Sequence, residues 1–233
     1  QGAAIVVTDL DDTAVREVVE HGTGDGSSVI GRVMDVTDAA QVTRVVEEAA
    51  NELGPVDILV NNAAIAPAES FLDTPLEQWD HIFDVIVKGA VHGARAVLPA
   101  MIEHRRGSII NIASVNGLSF YGDPAYSAAK AALISLTRTL AAMYGDSNVR
   151  TNAIAPGTVR GPIWTDRLAR DPDTLTKLAR WYPLGRVGEP PDIAEAACFL
   201  ASDRAAWISG AVLPVDGGLG AGNVEMARDT GGF

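Results

Sequence analysis

Residues 109–136 read IINIASVNGLSFYGDPAYSAAKAALISL, the stretch whose reading decides the fold. It opens as a short apolar run and crosses a loop marked by Gly117, Gly122 and Pro124. It then becomes a helix of small residues in which Tyr126 and Lys130 stand four apart. That spacing puts both side chains on one helix face. An ammonium beside a phenol favours the ionised form, so the pair predicts a tyrosine of lowered pKa that exchanges a proton with an alcohol near neutral pH. Ser114, twelve residues before Tyr126, ends the apolar run. It offers a second hydroxyl to the same substrate oxygen, a donor pair around a developing oxyanion. The plainer reading of Tyr126 and Lys130 is an interfacial aromatic and a solvated charge.

Strand followed by helix recurs on both sides of this stretch. Upstream, residues 2–8, GAAIVVT, read as a buried strand ending at Asp9, and LDDTAVREVVEH repeats its apolar residues at helical spacing. A polar loop, GTGDGSS, precedes a strand over 29–34 that ends at Asp35-Val36. Residues 38–53 form an amphipathic helix stopped by Gly54-Pro55, and 56–60, VDILV, is a strand too apolar to face water on either side. A long helical region spans about 76–103, between Pro75 and Gly107. Downstream come a strand over 148–154, a turn at Pro156 to Val159, a helix over 191–202 and a last strand near 210–215. Nearly continuous apolar strands alternating with helices indicate a parallel sheet covered on both faces.

The run INIAS, the glycine-containing loop and AYSAAKAAL together resemble the active-site segment of the short-chain dehydrogenase/reductase family, in its NAD-linked branch. The resemblance extends from Gly2 to about Gly220. It implies that Ser114 positions the substrate, Tyr126 is the acid/base, and Lys130 holds the nicotinamide ribose and tunes the tyrosine. It implies too that Asp35 and Val36 lie against the adenine. Asn61-Asn62-Ala63-Ala64 is similar to the family's Asn-Asn-Ala-Gly turn, which places Asn61 and Ala63 along the cofactor, with Ala64 replacing the glycine. Pro156, Gly157 and Val159 belong to a turn similar to the one that meets the nicotinamide carboxamide. An acid at the tip of a strand such as Asp9 either caps the following helix or binds the adenosine ribose and repels a 2′-phosphate. The resemblance favours the second, and so NAD over NADP.

Three departures stand out. The family's opening strand, glycine-rich turn and helix are absent, as though the chain were cut at the end of that helix, and no other glycine-rich strand-to-helix turn replaces the pyrophosphate cradle. Ile86 occupies the place of an asparagine that helps hold the water of the proton relay, and isoleucine has neither donor nor acceptor. Gly161 stands where a threonine hydroxyl usually meets the cofactor, or serves as a hinge. The expected fold is therefore α/β, a doubly wound parallel, Rossmann-like sheet without its first βα unit. The missing strand belongs between those ending at Asp9 and Val60. Either these two pair directly, another segment fills the gap, or the chain is a truncated form. The expected function is hydride transfer between NAD and a small-molecule secondary alcohol or ketone, with slow turnover. The alternative is a member of the same fold without redox activity, a binding or assembly protein or a cofactor-independent acid/base enzyme.

A chain of 233 residues, nearly half of them apolar, suits one domain over 1–233. Within it, 162–182 reads as a helical substrate lid, where Trp164, Trp181 and Tyr182 either line an apolar pocket or pack the lid itself. Residues 221–233 form a tail that crosses to a neighbouring subunit or is mobile. A net charge of -12 disfavours nucleic acid and anionic membrane as partners. No apolar run reaches the roughly eighteen residues of a membrane span and no leader opens the chain, so a cytoplasmic location is expected. The single Cys198 reads as a buried structural thiol, and the four histidines do not cluster with ligands, so no metal is expected. A homo-oligomer, tetramer or dimer, follows from the resemblance of the last strand and turn to a family interface.

Overall fold

The computed structural model describes residues 2–24, 28–66, 70–222 and 224–231. Strand β1 (Ile5–Asp9) leads into α1 (Asp12–Gly24), and β2 (Val29–Val33) into α2 (Ala39–Leu53). After β3 (Ile58–Asn61) comes one long helix made of α3 (Leu76–Phe83), a π-helical turn (Asp84–Lys88) and α4 (Gly89–Glu103). Then follow β4 (Gly107–Ile112), α5 (Pro124–Tyr144) and β5 (Val149–Pro156). The segment expected to form a lid consists of a 3-10 turn (Pro162–Trp164), α6 (Thr165–Arg170) and α7 (Thr174–Ala179). Finally come α8 (Pro190–Ala201), β6 (Val212–Val215) and α9 (Val224–Asp229).

Local chemistry sets the boundaries. Asp38 caps α2 by accepting the Ala40 and Gln41 N–H groups at 2.9 and 3.0 Å, and Gly54, at φ 91°, ends it in a conformation that suits glycine. Asp11 does the same for α1, its carboxylate accepting the Thr13 N–H at 2.8 Å. Pro124 occupies the first turn of α5, where its missing N–H is no loss.

Every strand pair is parallel. The strands form two sheets, β1-β2 and β3-β4-β5-β6. Strands β4 and β5 are central, with Ile109, Ile110, Ala153 and Ile154 wholly buried. Helices α4 and α5 cover one face through Leu98, Met101 and Leu140, and α8 covers the other through Leu200.

The expected doubly wound fold is present, with corrections at its edge. Strands β1 and β3 do not pair, and no other described strand lies between them. The strands read as buried are consequently half open: Ile5 is 45% exposed and Val60 47%. A parallel strand is covered on both faces only when its neighbours are in place. Helix α1 runs on to Gly24, into the expected loop, of which residues 25–27 lie outside the described residues.

Cys198 is exposed rather than buried, because α8 turns Ile193, Ala196, Ala197 and Leu200 to the sheet and leaves Cys198 outside. The continuous helix Leu76–Glu103, 28 residues, is long and apolar enough to cross a membrane, contrary to the expectation from apolar runs. Its apolarity has a place in this fold, since Ile82, Ile86 and Ala90 pack on α5 and Leu98 and Met101 on the sheet. In the tail, 224–229 is helical, and residues 223, 232 and 233 lie outside the described residues.

Candidate active site

Parallel strands bring their carboxyl ends to one edge, where ligands of open α/β sheets bind. Asp9 ends β1, Asp35 and Val36 follow β2, Asn61 ends β3, Ser114 follows β4, and Pro156 ends β5. The long helix ties the β2 end to this edge. The Val36 carbonyl meets His92 Nδ1 at 2.9 Å, and Gly89 has no room for a side chain, since a Cβ there would sit 2.9 Å from Val36 Cγ2.

Ser114, Tyr126 and Lys130 come together. Ser114 is buried after β4, its Oγ accepting the Asn116 N–H at 3.1 Å. The loop beyond it presses on α5 at Gly117, where a Cβ would lie 2.8 Å from the Lys130 carbonyl carbon, so only glycine allows this approach. Lys130 is 2% exposed; its Nζ donates to the Ile112 carbonyl at 2.5 Å and lies 5.4 Å from the Tyr126 ring centroid. Burial pushes its ammonium down to about 7.

Tyr126 departs from expectation. Its pKa is raised, first by burial, with the nearby Asp123 carboxylate adding to the rise and the Ser114 hydroxyl opposing it. The sequence argument assumed a full positive charge on Lys130. The site that holds Lys130 away from water weakens that charge and also disfavours the phenolate. Asp123 stands at the start of α5 in the left-handed region, φ 49°, with Arg167 of the lid 3.8 Å from its carboxylate. Ile86 lies in the π-helical turn, 2% exposed, packed with Ile82, Ala90, Ala125 and Ala129 in the apolar cluster that Tyr126 adjoins. A π turn interrupts the regular ladder and is frequent at functional sites.

The residues expected along a cofactor divide into open and engaged groups. Asp9 is exposed, and because Asp11 caps α1, the capping reading of Asp9 falls away; its Oδ1 accepts the Asp11 N–H at 3.0 Å. Ala63 is also exposed. Asp35 accepts the hydroxyl and the N–H of Thr37 at 2.7 and 2.8 Å, and these bonds, the hydroxyl first, hold its carboxyl below the usual range. Asn61 Nδ2 donates to Asn111 Oδ1 at 2.8 Å, and Asn111 Nδ2 donates to Thr137 Oγ1 at 2.9 Å, so the Asn61 amide links β3, β4 and α5.

The turn after β5 is held by a residue that sequence reasoning had placed in the lid. The Thr158 N–H donates to the Tyr182 hydroxyl at 2.7 Å, and a Cβ on Gly157 would lie 2.8 Å from Tyr182 Cε1 and 3.2 Å from Asp216 Cα. Val159 bridges to Gly188. Tyr182 and Trp164 therefore pack the lid's own cluster with Leu175 and Val187, while Trp181 is 46% exposed under Arg180. Gly161 is extended, at φ 173°, with open space around it. Sequence reasoning missed Asp123 and Asp216, and the role of Tyr182 as support of the turn after β5; an acid three residues before Tyr126 was the signal available.

These residues fit the two ends of a dinucleotide. Asp9, Asp35 and Val36 suit an adenosine, and Lys130 with the Pro156–Val159 turn suits a nicotinamide riboside. The middle is different. Among the described residues no strand-to-helix turn is glycine-rich.

A family model described as enoyl-(acyl carrier protein) reductase matches residues 1–220. The chain is 37% identical over 225 residues to the 3-oxoacyl-(acyl-carrier-protein) reductase of Thermotoga maritima, covering 94% of this chain and 88% of that one. A short-chain dehydrogenase/reductase from Burkholderia thailandensis superposes with TM-score 0.92 and 41% identity, over all of this chain and 89% of the other. A gluconate 5-dehydrogenase from Burkholderia cenocepacia, solved with NADP and tartrate, superposes with TM-score 0.88 and 31% identity over 95% and 87%. Model, relative and structures together show the family: the chain belongs to the short-chain dehydrogenase/reductase family of oxidoreductases, which use a nicotinamide cofactor.

Proposed function

We propose that this oxidoreductase interconverts a small secondary alcohol and its ketone, with NAD preferred over NADP. The observation that carries the reading is the grouping of buried Ser114 and Lys130 with half-buried Tyr126 at the carboxyl edge of the sheet. Asp9 supports NAD: an exposed carboxylate at the tip of β1 repels a 2′-phosphate, although a relative at 31% identity holds NADP. Lys130 and the Pro156, Gly157 and Val159 turn would hold the nicotinamide riboside; Asp9, Asp35, Val36, Asn61 and Ala63 would flank the adenosine half.

When bound, the nicotinamide supplies or accepts the hydride at the carbonyl carbon. Tyr126 gives its proton to the carbonyl oxygen in reduction and takes it back in oxidation, while Ser114 donates a hydrogen bond to that oxygen and orients it. Lys130 donates to the Ile112 carbonyl and fixes the helix face beneath Tyr126. Its amine, near 7, is charged only part of the time at neutral pH. Because the Tyr126 pKa is raised, the phenol stays protonated through neutral pH, which favours reduction. Oxidation needs the phenolate and climbs with alkaline pH. The same reading takes the chain as a cytoplasmic homo-oligomer.

The experiment is a pH profile of both directions in the parent chain and in Tyr126→Phe. An alkaline rise in alcohol oxidation that disappears with the phenol supports the reading. A profile that survives the substitution overturns it. A second reading, acid/base chemistry without nucleotide, would be established by turnover that needs Tyr126 but no added nucleotide.

A further inference from the structure

A cavity of about 230 Å³ opens between the loop after β4 and the turn after β6, lined by Val115, Leu118, Ser119 and Tyr121 on one side and Pro214, Asp216, Gly220 and Ala221 on the other. One wall is continuous with the chain at Ser114, and the other packs on the turn after β5. Val115 follows Ser114 in the chain, and Asp216 packs on Gly157 of the turn after β5, 3.2 Å from where its Cβ would be. The cavity therefore borders the loop that follows Ser114 and the turn that would hold the nicotinamide.

Its lining is largely apolar and carries one formal charge, the Asp216 carboxylate. Both oxygens of that carboxylate are tied to backbone: Oδ1 accepts the Gly218 N–H at 3.0 Å and Oδ2 the Gly220 N–H at 2.8 Å. Asp216 is thus fixed in place as a charge facing the cavity. No lysine or arginine lines it, and Arg167 of the lid is occupied, 3.8 Å from Asp123 and stacked 5.0 Å from the Trp164 ring. At the roughly 30 Å³ that a water claims in the liquid, the volume holds about eight heavy atoms.

We infer that this cavity seats the side arm of an uncharged, compact ketone or secondary alcohol, and that Asp216 selects against substrates whose arm carries a carboxylate, sulfonate or phosphate. The inference rests on the oxidoreductase reading for what reacts, and on the cavity alone for what binds. For two carboxylates about 6 Å apart, an effective dielectric between 80 and 20 gives discrimination of about three- to a hundredfold.

The test uses acetophenone, 4-acetylbenzamide and 4-acetylbenzoate, the last two matched in shape and different in charge. Binding to the full chain is followed by saturation-transfer NMR and competition, with and without NAD, and NADH oxidation is followed separately. Acetophenone and the amide are expected to bind, the acid at least about threefold more weakly by the same Coulomb argument. Asp216→Asn, which keeps the shape and one acceptor, closes the gap between acid and amide. Leu118→Trp and Ala221→Trp, at exposed positions and with folding checked by circular dichroism, fill the cavity and remove acetophenone binding. Equal binding of acid and amide by the parent chain overturns the inference, as does unchanged acetophenone binding in both tryptophan variants, or no ketone binding by the folded chain. Ketone binding with the expected charge dependence but no NADH oxidation would sink the oxidoreductase reading and leave the cavity's selectivity standing. NADH oxidation with equal efficiency on acid and amide would do the reverse.

Discussion

Replacing Lys130 by methionine, a chain of similar length without charge, changes stability in a way that depends on pH. Lys130 is 2% exposed, and burial brings its pKa from 10.5 to about 7. In the unfolded chain the amine regains its ordinary value. Between pH 7 and 10.5 the unfolded state then holds a proton that the folded state does not, so Lys130 makes the parent chain more stable as pH rises. Below pH 7 the folded chain carries the full penalty of a buried ammonium. From pH 7 to 9 the gain is two pH units at about 1.36 kcal/mol each, less ~0.4 kcal/mol because the group is already half neutral at pH 7, or about 2 kcal/mol. The Lys130→Met variant lacks this term. Loss of the donor to the Ile112 carbonyl adds an offset that is the same at both pH values and drops out of the comparison. Urea unfolding of both proteins at pH 7 and pH 9 reads the quantity directly. The variant's stability relative to the parent is expected to fall by about 2 kcal/mol on going to pH 9. A difference that stays constant across the two pH values would refute the buried, half-neutral lysine.

Three further substitutions probe the rest of the site. Tyr182→Phe leaves the half-buried Thr158 N–H without its 2.7 Å acceptor, which costs about 0.5–1.5 kcal/mol of stability; it should raise KM for NAD while leaving the pH dependence set by Tyr126 intact, and an unchanged KM counts against Tyr182 as the support of the turn. Ile86→Asn places an amide among apolar side chains, so urea midpoints should drop by the equivalent of roughly 1–3 kcal/mol. Its kcat should nevertheless rise if a relay donor is what Ile86 withholds, and a stable or destabilised variant of unchanged kcat would end that idea. Asp9→Ser removes the charge at the tip of β1 and should reduce the preference for NAD over NADP by about tenfold, the equivalent of ~1.4 kcal/mol; an unaltered ratio of KM values would show that Asp9 plays no part in the choice.

Periodicity and local punctuation made most elements legible. Asp38 and Gly54 bracket α2 as written, and the apolar runs became parallel strands in the expected order. The gap between the strands ending at Asp9 and Val60 was legible, but not whether those two strands would pair across it. A run such as VDILV has the same composition whether it lies inside a sheet or at an open edge, and Val60 is half exposed because nothing described pairs with that side of β3.

The site was legible where residues are neighbours in sequence. The pairing of Tyr126 with Lys130 follows from helical spacing, and Ser114 from its place at the end of a strand. The long-range contacts were not legible. Nothing in residues 162–182 indicates that Tyr182 will reach Thr158, or that Asp216 will close a cavity against Val115 and Leu118. The direction of the Tyr126 pKa was also beyond the sequence, because it depends on how deeply the pair is buried, and burial outweighs the proximity that spacing alone reveals.

Calorimetric titration of the purified 233-residue chain with NAD and then NADP tests the central claim most directly, because the proposed chemistry needs a nucleotide and the proposed role of Asp9 needs that nucleotide to be NAD. The account predicts saturable binding of NAD and weaker binding of NADP. A folded chain that takes up neither would contradict it, and the chemistry of Tyr126 would then have to be sought without a nucleotide.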